Sequence, residues 1–247
     1  MNRILVLPVK CLKDNYSYIV KCTRSNKGVI IDPVEPAKAF KVAMENDVEV
    51  VQALVTHHHL DHHNIKDLLE IKRIPVISGD DRIPNSELIK DGQEWQVGDF
   101  SIKAIFTPGH TTGHYSYYIY SKDEHNVFTG DFLFIGGCGR LFEGTAQMMW
   151  NSILKFKDLP KSTNVWVGHE YTASNYNWAL SIDPNNKSLA DKLDWASSAE
   201  ITIPSTVQNE MDFNMFLHSD DPRMLKRYNT ADPVNVLTQL RAAKDAF

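Results

Sequence analysis

Thr56-His57-His58-His59-Leu60-Asp61-His62-His63 places five imidazoles and a carboxylate within eight residues, directly behind the apolar run Val48 to Val55. That run reads as a buried strand: it has strand length, Val, Leu and Ala dominate it, and only Glu49 and Gln52 interrupt it. Residues two apart on a strand face the same side, so the pattern predicts His57 and His59 aimed at one centre and His58 turned away. On a helix the same pair would stand about 200° apart and could not converge. Asp61 and His62 fall where the chain leaves the strand and can turn toward a second centre. The cluster is internal and broken by Leu60 and Asp61, unlike an appended tag or a solvated His-rich tract. Imidazole and carboxylate without cysteine suit Zn²⁺, Fe or Mn better than a soft metal.

The 247 residues suffice for one large domain or a domain with an appendage, and the 43% hydrophobic content is ordinary for a soluble globular protein. A net charge of -5 with no Lys/Arg-rich stripe argues against a nucleic-acid partner. Three widely spaced cysteines without a CxxC pair indicate neither a disulfide framework nor a zinc ribbon, so a reducing, cytoplasmic setting is expected. Met1-Asn2-Arg3 runs straight into Ile4 to Val9, which reads as a first strand rather than a signal segment. No run approaches membrane-spanning length, so no membrane partner is expected, and the chain is expected to be a monomer.

Further strands are predicted at Tyr16–Cys22 and Gly28–Asp32, joined by a turn as an antiparallel opening. Helices are predicted over Ala37–Asn46, over Asn64–Lys72 with Asn64 as cap, and over Thr145–Leu159. Ile74–Ser78, Phe100–Thr107, Tyr115–Tyr120, Asn126–Thr129 and Asn164–Val167 read as strands, with loop and short strands between Asp80 and Gly98. A potential ligand follows at once where four of these strands end: His57, His110, Asp131 and His169. Strand ends are where α/β architectures collect their sites. From Ala173 onward the apolar residues recur in helix-like patches, and Asp221-Pro222 and Asp232-Pro233 each offer an N-cap followed by proline. The expected domains are 1–172, carrying the candidate ligands, and 173–247, a helical tail.

Thr56-His57-His58-His59-Leu60-Asp61-His62 resembles the HxHxDH signature of the metallo-β-lactamase superfamily. The stretches Thr107 to His114, Phe128-Thr129-Gly130-Asp131, Gly137-Cys138-Gly139-Arg140, Gly168-His169-Glu170-Tyr171 and Asp232-Pro233-Val234 with Arg241 and Lys244 are similar to the hydroxyacylglutathione hydrolases, or glyoxalase II, over essentially the full length. The resemblance implies an α/β fold: an αββα metallo-β-lactamase sandwich followed by a C-terminal helical domain that binds glutathione. It implies two divalent metal ions, Zn²⁺ foremost with Fe or Mn as alternatives. His57, His59 and His110 would hold the first, Asp61, His62 and His169 the second, and Asp131 would bridge them. A hydroxide shared by the ions completes five donors each, which suits catalytic rather than structural zinc.

The implied reaction is hydrolysis of S-D-lactoylglutathione and related S-2-hydroxyacylglutathiones to the 2-hydroxy acid and glutathione, the second step of methylglyoxal detoxification. The hydroxide would attack the thioester carbonyl, with Asp61 and Asp131 orienting it and glutathione thiolate leaving. The resemblance further implies Arg140, Phe142, Tyr171, Arg241 and Lys244 at the positions that contact glutathione. Two positions depart from the family pattern: His63-Asn64-Ile65 stands where a small residue and paired glycines are usual, and Phe142 replaces a tyrosine hydroxyl. His58, His63 and His114 are expected beside the site or at the surface rather than as ligands, and Cys138 has no His-Asp partner to make it a nucleophile. The competing readings are a mononuclear-iron glutathione persulfide dioxygenase and a metal-binding module without turnover.

Overall fold

The computed structural model describes residues 4–247, so Met1-Asn2-Arg3, named above as the lead-in to the first strand, lie outside the described residues. The chain divides into two compact units: residues 1–106 with 113–130, and residues 107–112 with 131–247.

The first unit opens as the alternation predicts. Strands β1 (Ile4–Cys11), β2 (Asn15–Cys22) and β3 (Lys27–Ile31) form an antiparallel meander, with Val9 opposite Ser17 and Ile19 opposite Ile30. Direction then changes. β4 (Glu49–Leu54), β5 (Val76–Ser78) and β6 (Ser86–Leu88) add in parallel, because helices α1 (Pro36–Glu45) and α2 (Ile65–Ile71) carry the chain back between them. Pro36 opens α1 without needing an N–H partner, and the Asn64 side chain accepts from Asp67 N–H to cap α2. Both helices press Ala39, Ala43, Ile65 and Leu68 onto Val9, Ile19, Ile30 and Ala53 of the sheet.

The other face of β2 carries Tyr16, Tyr18 and Val20, also buried, because a second sheet covers it. That sheet contains the antiparallel strands β7 (Glu94–Val97), β8 (Phe100–Phe106), β9 (Tyr115–Tyr120) and β10 (His125–Gly130). Tyr18 meets Phe128 edge-on at 5.2 Å, and the fully buried Tyr117 hydroxyl reaches across to the carbonyls of Val55 and Ile77 at 2.9 and 3.1 Å. Those two carbonyls bound the histidine stretch and the strand beside it.

In the second unit a short hairpin, β11 (Leu133–Phe134) with β12 (Gly137–Cys138), follows Asp131. Helix α3 (Ala146–Lys157) is capped by Thr145, and β13 (Asn164–Val167) pairs with β14 (Ser205–Thr206). The tail is helical as its patches suggest: α4 (Thr172–Ile182), α5 (Lys187–Ser198), α6 (Val207–Phe213), α7 (Pro222–Arg227) and α8 (Pro233–Asp245). Asp221 and Asp232 accept from the N–H of Arg223 and Val234, the capping their Asp-Pro pairs predict. Trp178 stacks on Phe216 at 5.1 Å, both buried along with Val236, Leu237 and Leu240. The buried Glu210 carboxylate accepts from Gly136 N–H at 2.8 Å, while Asn214 Nδ2 donates to the Gly137 carbonyl at 2.9 Å. The tail thereby pins the hairpin whose end leads into Gly139 and Arg140.

The Val55 carbonyl also accepts from Ser78 Oγ, and the Ile77 carbonyl from Val55 N–H, so neither is orphaned when the tyrosine hydroxyl is removed. Tyr117→Phe is therefore expected to cost only about 1 kcal/mol in urea unfolding, the net worth of one hydrogen bond.

Candidate metal centre and substrate cleft

The strand β4 ends at Leu54, and Thr56 to Asn64 form a loop rather than a continuation of the strand. The expected side-by-side presentation of His57 and His59 nonetheless holds: their Nε2 and Nδ1 atoms lie 3.1 Å apart. It comes from a turn, in which His62 N–H bonds to the His59 carbonyl, and not from strand alternation.

What holds this loop is Asp32, at the end of β3. Its carboxylate accepts from Thr56 N–H at 2.8 Å, from Thr56 Oγ1 at 2.9 Å and from His62 Nδ1 at 2.9 Å. The last bond places the His62 proton on Nδ1 and makes Nε2 the ring nitrogen that carries the lone pair. Asp32 adopts φ of 49°, a left-handed conformation that Asp tolerates better than most residues. Asn15 performs a similar service for Asp61, donating from Nδ2 to its carboxylate at 3.1 Å and its carbonyl at 2.9 Å. Neither Asp32 nor Asn15 was predicted for the site. The signal for Asp32 was an acidic residue ending a wholly apolar strand, where burial demands donors; Asn15 carried none.

His58 turns away as expected, its Nδ1 3.2 Å from Asp80. His63 is buried with Nε2 against the His58 carbonyl at 3.1 Å, so the histidine that replaces the usual small residue staples the loop internally. Burial pushes its pKa below the ordinary range, and it donates to that carbonyl as a neutral ring. His114 is buried and stacks on His57 at 5.0 Å. Gly130, at φ of 47°, permits this packing: a Cβ there would stand 2.6 Å from Thr56 Oγ1 and 3.0 Å from His114 Nε2.

In the second unit, His110 Nδ1 donates to the Arg140 carbonyl at 2.8 Å, which turns its Nε2 to within 3.6 Å of Asp131 Oδ2. His169 Nε2 lies 3.5 Å from the same oxygen, its ring stacked on Tyr171 at 4.7 Å. Gly139 allows this closeness, since a Cβ would fall 2.0 Å from the Asp131 carbonyl and 2.8 Å from His110 Nδ1. Two donors on one tetrahedral ion at 2.0–2.1 Å stand about 3.3 Å apart, so these spacings fit ligand pairs. Of the seven candidate ligands, His57, His59, Asp61 and His62 lie in the first unit and His110, Asp131 and His169 in the second. The donors are nitrogen and oxygen, as divalent ions of the Zn, Fe and Mn type require.

His110 and Asp131 also line a cleft of about 600 Å³ in this unit, with Arg140, Tyr171, Arg241 and Lys244 around it. Phe142 is exposed at its rim, its ring edge-on to His110 at 5.3 Å. Arg241 is buried and donates from Nη1 to the Cys138 carbonyl at 2.8 Å and from Nη2 to Asp245 at 2.9 Å. Lys244 bonds to Asn175 and sits over the Trp178 ring at 5.0 Å. Burial first, and then the charge of Arg241, lowers its pKa to about 8. Burial pushes the Cys138 thiol up, which agrees with its exclusion as a nucleophile.

The metallo-β-lactamase superfamily model matches residues 13–169, and the model described as hydroxyacylglutathione hydrolase C-terminus matches residues 170–247. A metallo-β-lactamase from Staphylococcus aureus superposes with a TM-score of 0.69 at 20% identity, over 97% of this chain and 67% of that one, so the fold is the metallo-β-lactamase fold. Cytoplasmic hydroxyacylglutathione hydrolase of Arabidopsis thaliana is 38% identical, with 98% of each chain aligned. A hydroxyacylglutathione hydrolase of Roseobacter denitrificans is 37% identical over 99% of both. The chain belongs to the hydroxyacylglutathione hydrolase family.

Asp32→Asn would set an amide N–H against the donors of Thr56 and His62. Metal affinity in chelator competition is expected to fall about 10- to 100-fold, the usual effect of removing a partner behind a metal ligand.

Proposed function

We propose that this protein is a thioesterase that hydrolyses S-2-hydroxyacylglutathiones, S-D-lactoylglutathione foremost, to a 2-hydroxy acid and glutathione. The observation that carries the reading is the composition of one cleft: Arg241, Lys244 and Arg140 share it with His110 and Asp131. An anionic ligand held by the cations extends its other end to the metal-binding groups. In this reading His57, His59 and His110 hold one zinc ion, Asp61, His62 and His169 a second, and Asp131 serves both. Residues 1–172 carry the metal chemistry and 173–247 most of the glutathione contacts, a division supported by family models that meet between residues 169 and 170.

When bound, the two ions supply an ionised water at neutral pH and polarise the thioester carbonyl. The protein's own groups do the rest. Asp61 and Asp131 would orient the nucleophile toward the carbonyl carbon, its one O–H donating to a carboxylate. Arg241 and Lys244 anchor glutathione carboxylate, and Tyr171 and the Phe142 ring flank the thiol end. Phe142 lacks the hydroxyl of the usual tyrosine, which costs roughly 0.5 to 1.5 kcal/mol of affinity and leaves the reaction unchanged. The departing thiolate, with a conjugate acid near pKa of about 8.5, needs no proton donor. The reading assigns the work to a single chain in the cytoplasm, the compartment named for the Arabidopsis relative.

Purified, metal-loaded protein should release free thiol from S-D-lactoylglutathione. Asp131→Asn should lose both metal and thiol release, and a variant that keeps the two would refute the assignment. A second expectation concerns pH. Lys244 is charged below about 8 and neutral above it, so attraction for an anionic ligand is present below that value and lost as pH rises through it. KM should therefore rise across pH 8, and Lys244→Met should abolish that inflection.

A further inference from the structure

Two arginines of this chain show how it grips a carboxylate. Arg82 holds Asp80 through Nε at 2.8 Å and Nη2 at 2.7 Å, and Arg223 holds Asp221 through Nε at 3.2 Å and Nη2 at 2.8 Å. Both use the same edge of the guanidinium, two parallel N–H groups on one carboxylate. In Arg241 that edge is half used. Nη2 donates to Asp245 Oδ1 at 2.9 Å, Nη1 is committed to the Cys138 carbonyl, and the buried Nε has no hydrogen-bond partner.

Asp245 lies one helical turn beyond Arg241 on α8 and is held by one oxygen; the same Oδ1 is 3.4 Å from Arg140 Nε. Its side chain is 41% exposed against 6% for Arg241, so the carboxylate has water to retreat into while the guanidinium does not. We propose that Asp245 is an internal occupant of the carboxylate site and that substrate binds by displacing it. An incoming carboxylate gains both N–H groups of the edge and the Lys244 charge, whereas Asp245 gives up one bond to Arg241 and a longer, solvent-exposed contact with Arg140, each of small worth. Asp245 thus neutralises a buried guanidinium until substrate arrives, and affinity becomes a contest between two carboxylates. The inference rests on the reading that this cleft takes a glutathione thioester.

Asp245→Asn keeps the shape and removes the competing charge. KM for S-D-lactoylglutathione and the calorimetric Kd for S-methylglutathione are expected to fall about two- to fivefold with kcat held, as for loss of a half-exposed charge pair. The gain should vanish with the diethyl ester of S-methylglutathione, which has no carboxylate. Unchanged or raised KM and Kd would show that Asp245 only supports Arg241, and an equal gain for the diester would show that charge is not contested; either overturns the proposal, as does failure of both proteins to bind S-methylglutathione. Binding without thiol release from the thioester would instead count against the assigned reaction, leaving the Kd comparison to decide the role of Asp245.

Discussion

The Asp32 carboxylate is the constraint on which the histidine loop of the first unit depends. It is buried among apolar strands, where an unsatisfied charge is very costly, and three donors from Thr56 and His62 meet it. The same bonds that make its burial tolerable fix the start of the histidine loop and the tautomer of His62. Stability and ligand geometry are therefore one requirement, met at a residue in a left-handed conformation that a β-branched side chain would resist.

The second unit is organised differently. His110 and His169 converge on Asp131 because backbone comes unusually close: Gly139 lets the chain pass against the Asp131 carbonyl, and the Arg140 carbonyl orients His110. The hairpin that delivers Gly139 and Arg140 is in turn held by Glu210, Asn214 and Arg241 from the helical tail. The tail thus has two tasks. It places Arg241 and Lys244 along the cleft, and it holds the hairpin that leads into Gly139 and Arg140, which pack against Asp131 and His110.

Much of this was legible in residue order. The strands at Phe100–Phe106 and Tyr115–Tyr120, the Asp-Pro caps of α7 and α8 and the Asn64 cap of α2 appear where predicted, because such signals act within one turn or one strand. The hairpin Leu133–Cys138 was not foreseen. Two-residue strands have too little periodicity to read, and their pairing is held by residues more than seventy positions away. The histidine loop was read as strand, since two-residue spacing looks alike whether a sheet or a turn produces it.

By itself, residue order determined the chemistry: which side chains can bind a metal, that they follow strands, and that a basic helix closes the chain. Those properties reside in side-chain type and local spacing. Only the tertiary structure decided the partners: Asp32 behind His62, Asn15 behind Asp61, and Asp245 on the guanidinium edge of Arg241. For the first two, burial brings together residues far apart in the chain, and no local pattern encodes whom a buried carboxylate meets. Even for Asp245, one turn from its partner, the helix supplied only proximity; the edge of Arg241 left open to it was set by Cys138, far back in the chain.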